Sequence, residues 1–281
     1  MPAFDTPGAL NVQLSLGFVA ANVRVTANQR TDATVDVRPA DPSNKADVRV
    51  ADQTRVEFTD GRVHVRAPRL GMLVGRTGTV DVTIAVPEGS DLRGETGMGE
   101  VLCEGRLGEC RFKTGYGEIR LDRVGTVDVT SASGDVTVDH AETVTAIKAS
   151  NGAINVRRID GPANVRNSNG ATWLGEVGSD LRVNAGNGSI AVDRAGGDVT
   201  AKAANGAVRI GEVARGDVVL ASAAGPLEIG IREGTAAWLD LKTYSGRVRN
   251  ELSATPGPGD AADTVQVRAR TYIGDIVVRR A

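Results

Sequence analysis

A glycine recurs through this chain at a nearly fixed interval, and no other feature of the sequence restricts its fold as much. Gly99, Gly117, Gly134, Gly152, Gly170, Gly188, Gly206, Gly225, Gly246 and Gly274 each close a short turn, at spacings of 18, 17, 18, 18, 18, 18, 19, 21 and 28 residues. A period of this size is the mark of a repeat architecture. Around each marker glycine lie two short alternating runs, because the residues seven and five before it, and two and four after it, are mostly apolar. Val127, Val129, Val136 and Val138 hold these positions around Gly134, and Leu181, Val183, Ile190 and Val192 around Gly188. Three places before the marker comes a column of small residues, including Thr114, Ser131, Ala149, Ala185 and Ser222, with Asn167 the bulkiest. Only small side chains fit where two sheets meet at a bend.

These columns predict an all-β fold, a parallel β-solenoid (β-helix) of about ten coils with an 18-residue period. Each coil pairs in parallel with those above and below at about 4.8 Å, so ten coils give a rod roughly 50 Å long. An Asn-Gly pair between strands is also a hairpin signal, but an antiparallel meander has no reason to repeat its columns every eighteen residues. Asn151, Asn169, Asn187 and Asn205 are expected to stack as a ladder at one edge, each accommodating the left-handed backbone of a tight bend.

Residues 1–88 lack the markers but carry alternating runs, "NVRVTA", "TVDVRP", "ADVRV", "RVEFTDGRVHVRAP" and "TVDVTIAVP", which read as antiparallel strands and hairpins. They are expected to cap the first coil, giving an amino-terminal cap region, 1–88, and a solenoid domain, 89–281. Helical signals are almost absent. The long gap before Gly274 contains "SATPGPGDAADT", too rich in proline and glycine for a strand, so about 251–264 is expected to be a loop pushed out of the rod.

Composition narrows the function. Thirty-three basic against thirty-five acidic residues give a net charge of -2, which supplies no positive field for a phosphate backbone, so nucleic acid is not an expected partner. No window approaches eighteen apolar residues and the amino terminus lacks a basic region followed by an apolar one; membrane insertion is not expected, and the reading is cytoplasmic, with surface attachment unsupported. Two cysteines suit a reducing compartment.

Few residues are candidates for chemistry. His64 lies on an alternating strand and His140 at a coil corner, far apart in sequence, and they read as structural. Cys103 and Cys110 both turn inward within one coil and read as buried thiols, with a disulfide or a reactive thiol as the alternative. Glu100, Glu118 and Asp135 form a short outward stack of carboxylates, but the column continues with Ala153, Ala171 and Ser189, so solvated acids are expected rather than a calcium site. The "RGD" at Arg215, Gly216 and Asp217 occupies a coil corner, where such residues occur anyway. No catalytic, cofactor or metal residues are therefore assigned. Tyr244 and Tyr272 share a column, with Trp238 nearby in sequence; these three form a candidate partner-binding patch, the alternative being that they pack an extruded loop.

The turns "TGYGEIRL", "SASGDVTV", "ASNGAINV", "NSNGATWL", "AGNGSIAV" and "TYIGDIVV", with "VDVTIAVPEGSDLRGETGMGEV" before them, carry a resemblance. Together with the opening "MPAFDTPGALNVQLSLG", nearly the whole chain resembles bacterial β-strand-repeat proteins known as "putative adhesins", a family of unknown function, in the form common in actinobacteria. The resemblance implies a β-solenoid without known catalytic residues. The expected function is a non-enzymatic scaffold or binding module for an unknown protein partner or for self-association. One alternative is a self-assembling cytoskeletal rod resembling bactofilins. Another is a carbohydrate-active β-helix enzyme, which would need a groove with paired carboxylates and sugar-stacking aromatics.

Overall fold

The computed structural model describes residues 3–6, 8–59, 61–68, 78–253 and 263–281. The chain forms two compact units that divide between Ala141 and Glu142. Both are built from parallel coils, as the periodic columns predict.

Unit one opens with β1 (Ala3–Asp5), β2 (Asn11–Asn28) and β3 (Asp32–Pro39), followed by helix α1 (Lys45–Gln53). Next come β4 (Arg55–Thr59), β5 (Arg62–Arg66), β6 (Thr79–Pro87), β7 (Asp91–Met98), β8 (Val101–Tyr116) and β9 (Ile119–Ser133). The antiparallel pairs among the described residues of this unit are β1–β3, β3–β6 and β4–β5. β2 behaves differently. It pairs in parallel with β5 and β6 on one side and with β7 and β8 on the other, so it is itself a coil inserted between two later stretches of chain. Its marker position is Ala21, whose carbonyl oxygen faces Gly99.

The run "ADVRV" is corrected by the structure: it lies in α1, not in a strand. Five alternating residues are too few to distinguish a strand from a turn of helix. The preceding Asn44 decides, because its side chain accepts from Ala46 N and caps the helix. Asp47 is buried, accepting from Asp41 N and Thr79 N, which ties the helix to the chain after β3 and to the start of β6.

β10 (Val136–Asn151) contains the division between the units. Unit two continues with β11 (Ile154–Ile159), β12 (Ala163–Asn169), β13 (Thr172–Val177), β14 (Leu181–Asn187), β15 (Ile190–Ala195), β16 (Val199–Asn205) and β17 (Val208–Val213). It ends with β18 (Gly216–Ala224), β19 (Leu227–Ile231), β20 (Thr235–Ser245), β21 (Val248–Asn250), β22 (Asp263–Ile273) and β23 (Ile276–Arg280). From β12 to β17 each strand pairs in parallel with the strand one period later, and like columns meet: Val165 faces Val183, and Val183 faces Ala201.

Three local arrangements explain the columns. The marker glycines, not the asparagines, carry the positive φ expected at the bend. At Gly188 φ is +149°, and a Cβ there would also collide with the Gly170 carbonyl oxygen. The asparagines are thereby free to use their side chains: Asn187 Nδ2 donates to Asn169 Oδ1 and Asn205 Nδ2 to Asn187 Oδ1, both at 2.9 Å. The small-residue column satisfies the bend from inside. Ser222 Oγ donates to the Gly206 carbonyl and Thr271 Oγ1 to the Gly225 carbonyl, both at 3.0 Å, while Asn167 spans the Gly152 and Gly170 carbonyls with one amide. On the outside, Arg158, Glu176, Arg194 and Glu212 meet in one column, alternating in sign where like charges would repel. Arg194 bonds Glu176, and Arg232 bonds Glu212 at 2.6 Å.

The last coils are out of chain order. β22–β23 pairs with β18–β19 on one side and with β20–β21 on the other. The coil marked by Gly274 therefore lies between those marked by Gly225 and Gly246. The long connection expected at 251–264 spans this step back; residues 254–262 within it lie outside the described residues.

Candidate interaction surface

The end coil of unit two, β20–β21, exposes Trp238 and Tyr244, and Tyr272 lies beside it on β22. β20 alternates, with Leu239, Leu241 and Thr243 turned toward the lumen and Trp238, Asp240, Lys242 and Tyr244 turned out. Tyr244 and Tyr272 are stacked, with ring centroids 4.7 Å apart and planes 3° from parallel. The stacking follows from register: Thr243 pairs with Thr271 and Ser245 with Ile273, which sets the two rings over one another on adjacent strands. The rings remain 75% and 57% exposed, beside exposed Ile273. Trp238 is 72% exposed but lies six residues from Tyr244, about 20 Å along the strand, where it pairs with Gln266. The structure thus brings two of the three patch residues together and sets the third at the far end of the same strand.

Between them lies an ionic cluster. Asp240 accepts from Arg270 at 3.0 Å and lies 3.5 Å from Arg268; the Arg270 hydrogen bond, with both positive charges, holds its carboxyl below the usual range. Lys242 makes no ion pair among the described residues.

The other candidates form no comparable site. Ser15 and His64 meet at 3.1 Å in a cleft of about 1230 Å³ in unit one, whose walls include Phe18, Arg55, Arg66 and Glu95. A general base paired with serine needs a carboxylate behind the imidazole. Here Arg66 Nε approaches the ring to 3.2 Å, and burial followed by the Arg66 charge lowers the His64 pKa, against an opposing pull from Glu57. Cys103 and Cys110 are free and buried, and the Cys110 thiol, then burial, pushes the Cys103 thiol well above its usual range. The Cys103 thiol therefore lacks the depressed pKa of a reactive cysteine. Among the described residues no group of three His, Cys, Asp or Glu side chains could hold a metal. Glu118 is held by Arg120 in a two-pronged pair. In the "RGD" stretch, Arg215 donates to the Gly196 carbonyl and Asp217 N to Asp198, so the tripeptide is bound into its corner.

A family model described as Toastrack DUF4097 matches residues 12–173, more than half of the chain. This chain belongs to the Toastrack family. The match begins at β2 and runs into β13, so the β20–β23 end of this Toastrack protein lies beyond the matched stretch. Several solved bacterial structures are similar. A "putative adhesin" from Parabacteroides merdae shares 9% identity at a TM-score of 0.46, over 98% of this chain and 94% of that one. Another, from Bacteroides fragilis, shares 11% identity at a TM-score of 0.37, over 99% and 95%. A "putative cell adhesion protein" from Clostridium sporogenes shares 11% identity at a TM-score of 0.26, over 100% and 98%. No curated protein matches. No helix among the described residues is long and apolar enough to cross a membrane.

Sequence reasoning did not single out Leu239, Leu241 and Val248 at the end of this Toastrack chain. They occupy inward columns by the same rule as their buried counterparts Val218, Leu220 and Leu227. Only the pairing order reveals that no described strand covers them.

Proposed function

We propose that this protein is a non-enzymatic scaffold or binding module that presents its outward-facing sheets to a protein partner, with residues 1–88 as a cap region and 89–281 as the presenting solenoid. The exposed Tyr244–Tyr272 stack carries this reading. Large amphipathic rings on a rigid strand lose little conformational entropy on binding, and tyrosine and tryptophan dominate the energetics of protein interfaces. Family membership and the adhesin names of similar structures support the general class.

The test is affinity capture from the native cell with wild-type protein and with the Tyr244→Ala/Tyr272→Ala variant, both checked by circular dichroism for an intact β-signal. A partner retained by wild type should be depleted at least about tenfold by the double substitution, the size expected when two interface aromatics are lost. Equal recovery by both proteins removes the patch from the reading. Turnover of a polysaccharide abolished by one carboxylate substitution would replace the reading with the enzymatic one.

A further inference from the structure

The free edge of β20 has the properties of half a symmetric interface. In the interior coils the amide at the first inward position donates to the next coil: Ala163 N to Asp180 O at 2.9 Å and Leu181 N to Asp198 O at 2.8 Å. Leu239 is the equivalent residue in β20, and no strand among the described residues lies beyond it. By the alternation of a strand, the N–H and C=O groups of Leu239, Leu241 and Thr243 point toward that open side. The lumen is open there too. Leu239 and Leu241 are half-buried and Val248 is 45% exposed, whereas Val267 and Ala269 one coil below are buried.

We infer that this edge is covered by a second copy of the chain, β20 pairing antiparallel with its counterpart across a two-fold axis at Leu241. The inference rests on reading the β20–β21 end as the binding end. Charge complementarity selects both the occupant and the register. With the axis at Leu241, Asp240 opposes Lys242 of the other copy and Lys242 opposes its Asp240. Trp238 opposes Tyr244, and on the lumen side Leu239 opposes Thr243 and Leu241 opposes Leu241. Every outward residue meets an outward one, and the three residues with free polar groups become the hydrogen-bonded pairs of the ladder. Moving the axis one residue either way sets Asp240 against Asp240 or Lys242 against Lys242. Moving it by half a residue would oppose inward to outward side chains, which the pleat forbids. Lys242, the one cation of β20 without an ion pair among the described residues, gains Asp240 of the second copy beside the arginines that already hold it. Such a contact is isologous and closes at two chains.

Sedimentation of the full chain at micromolar concentrations tests this, together with amide exchange at Leu239, Leu241 and Thr243. Wild type should sediment at twice the 29.2 kDa chain mass with those three amides protected. Lys242→Asp, which sets acid against acid twice across the axis, should raise the dissociation constant at least about tenfold and expose the amides, while Lys242→Arg should keep the dimer. A wild-type chain at the single-chain mass overturns the inference. Rapid exchange would then mean an open edge, and slow exchange a cover from the chain's own segment 254–262. Species larger than two chains, or a Lys242→Asp dimer as tight as wild type, overturn it equally. Tyrosine-dependent capture of another protein by a monomeric wild type would leave the proposed function standing without the dimer.

Discussion

The coil formed by β2 and the coil formed by β20–β21 obey the same column rule and reach opposite outcomes. Pairing places Leu14 and Leu241 in the same column, that of the residue five before the marker glycine: Leu14 meets Gly94, and Leu241 meets Ala269. Leu14 is buried, with Val12, Val23 and Val25, because β5 and β6 close one side of β2 while β7 and β8 close the other. Leu241 is covered on one side only. Column position therefore decides which way a side chain points, and the order in which coils stack decides whether it leaves water. Both regions place a coil out of chain order, but in unit one antiparallel strands follow beyond β2, β4 next to β5 and then β3 and β1 next to β6, with α1 against β3 and β6, whereas β20–β21 has no such cover among the described residues.

The largest expected effect breaks the comparison at the level of stacking order. If the coils of unit two followed the chain, truncation after Ser253 would remove only a terminal coil. With β22–β23 between β18–β19 and β20–β21, the same truncation takes away the sole described pairing partners of β20 and β21. Residues 235–250 should then exchange their amides at unfolded-chain rates, and the loss of β-signal should correspond to two coils rather than one. Retained protection across Leu239–Thr243 in the truncated chain would mean that β20 can re-pair with β18, and that the observed order is only one of two of similar stability.

A smaller effect measures cover directly. Leu14→Ala should destabilise by about 2–5 kcal/mol, since Leu14 and Phe112 together fill the space left by the missing side chain of Gly94. Leu241→Ala, in dilute solution where no second copy is present, should cost about 1 kcal/mol or less, because its side chain already meets water. Urea melts of both variants read the difference. Equal losses would show that the β20–β21 coil is buried by something else, and the contrast between the two coils would fail.

Much of this was legible in the sequence, and for a definite reason. Parallel stacking places like residues over like, so Val165, Val183 and Ala201 meet their counterparts at every period and the pattern survives without an alignment. The Asn151–Asn205 ladder and the Tyr244–Tyr272 stack are legible on the same ground. The β2 coil was hidden because Ala21 takes the marker position and two register shifts, between Ser15 and Gly17 and between Gly17 and Ala20, break its period. The order of the last coils was hidden for a different reason: columns state what faces inward but not which coil lies above which. α1 escaped because its buried residues, Asp47 and Val50, include a carboxylate whose donors could only be recognised once Thr79 was seen beside it.

The smallest effect concerns the bend itself, and contrasts interior coils with the end coil. Asn187 both donates to Asn169 and accepts from Asn205, so its side chain belongs to a ladder continuous on either side. The Tyr244–Tyr272 stack is a single pair at the end. Asn187→Ala removes two exposed hydrogen bonds and should cost about 1 kcal/mol. Asn187→Asp keeps the acceptor for Asn205 but sets a carboxylate against the Asn169 carbonyl oxygen, so at neutral pH it should cost at least as much. Because the folded state then disfavours the charged form, the folded pKa of that new carboxyl lies above its unfolded value, the folded chain binds the extra proton, and stability is regained as the pH falls through the carboxylate range. Thermal melts of the two variants at neutral and acidic pH separate the readings. An Asp variant whose deficit relative to Ala does not shrink in acid would show that the asparagines at this bend are held by their backbone alone, and that the ladder, like the single ring pair at the end coil, adds nothing from one coil to the next.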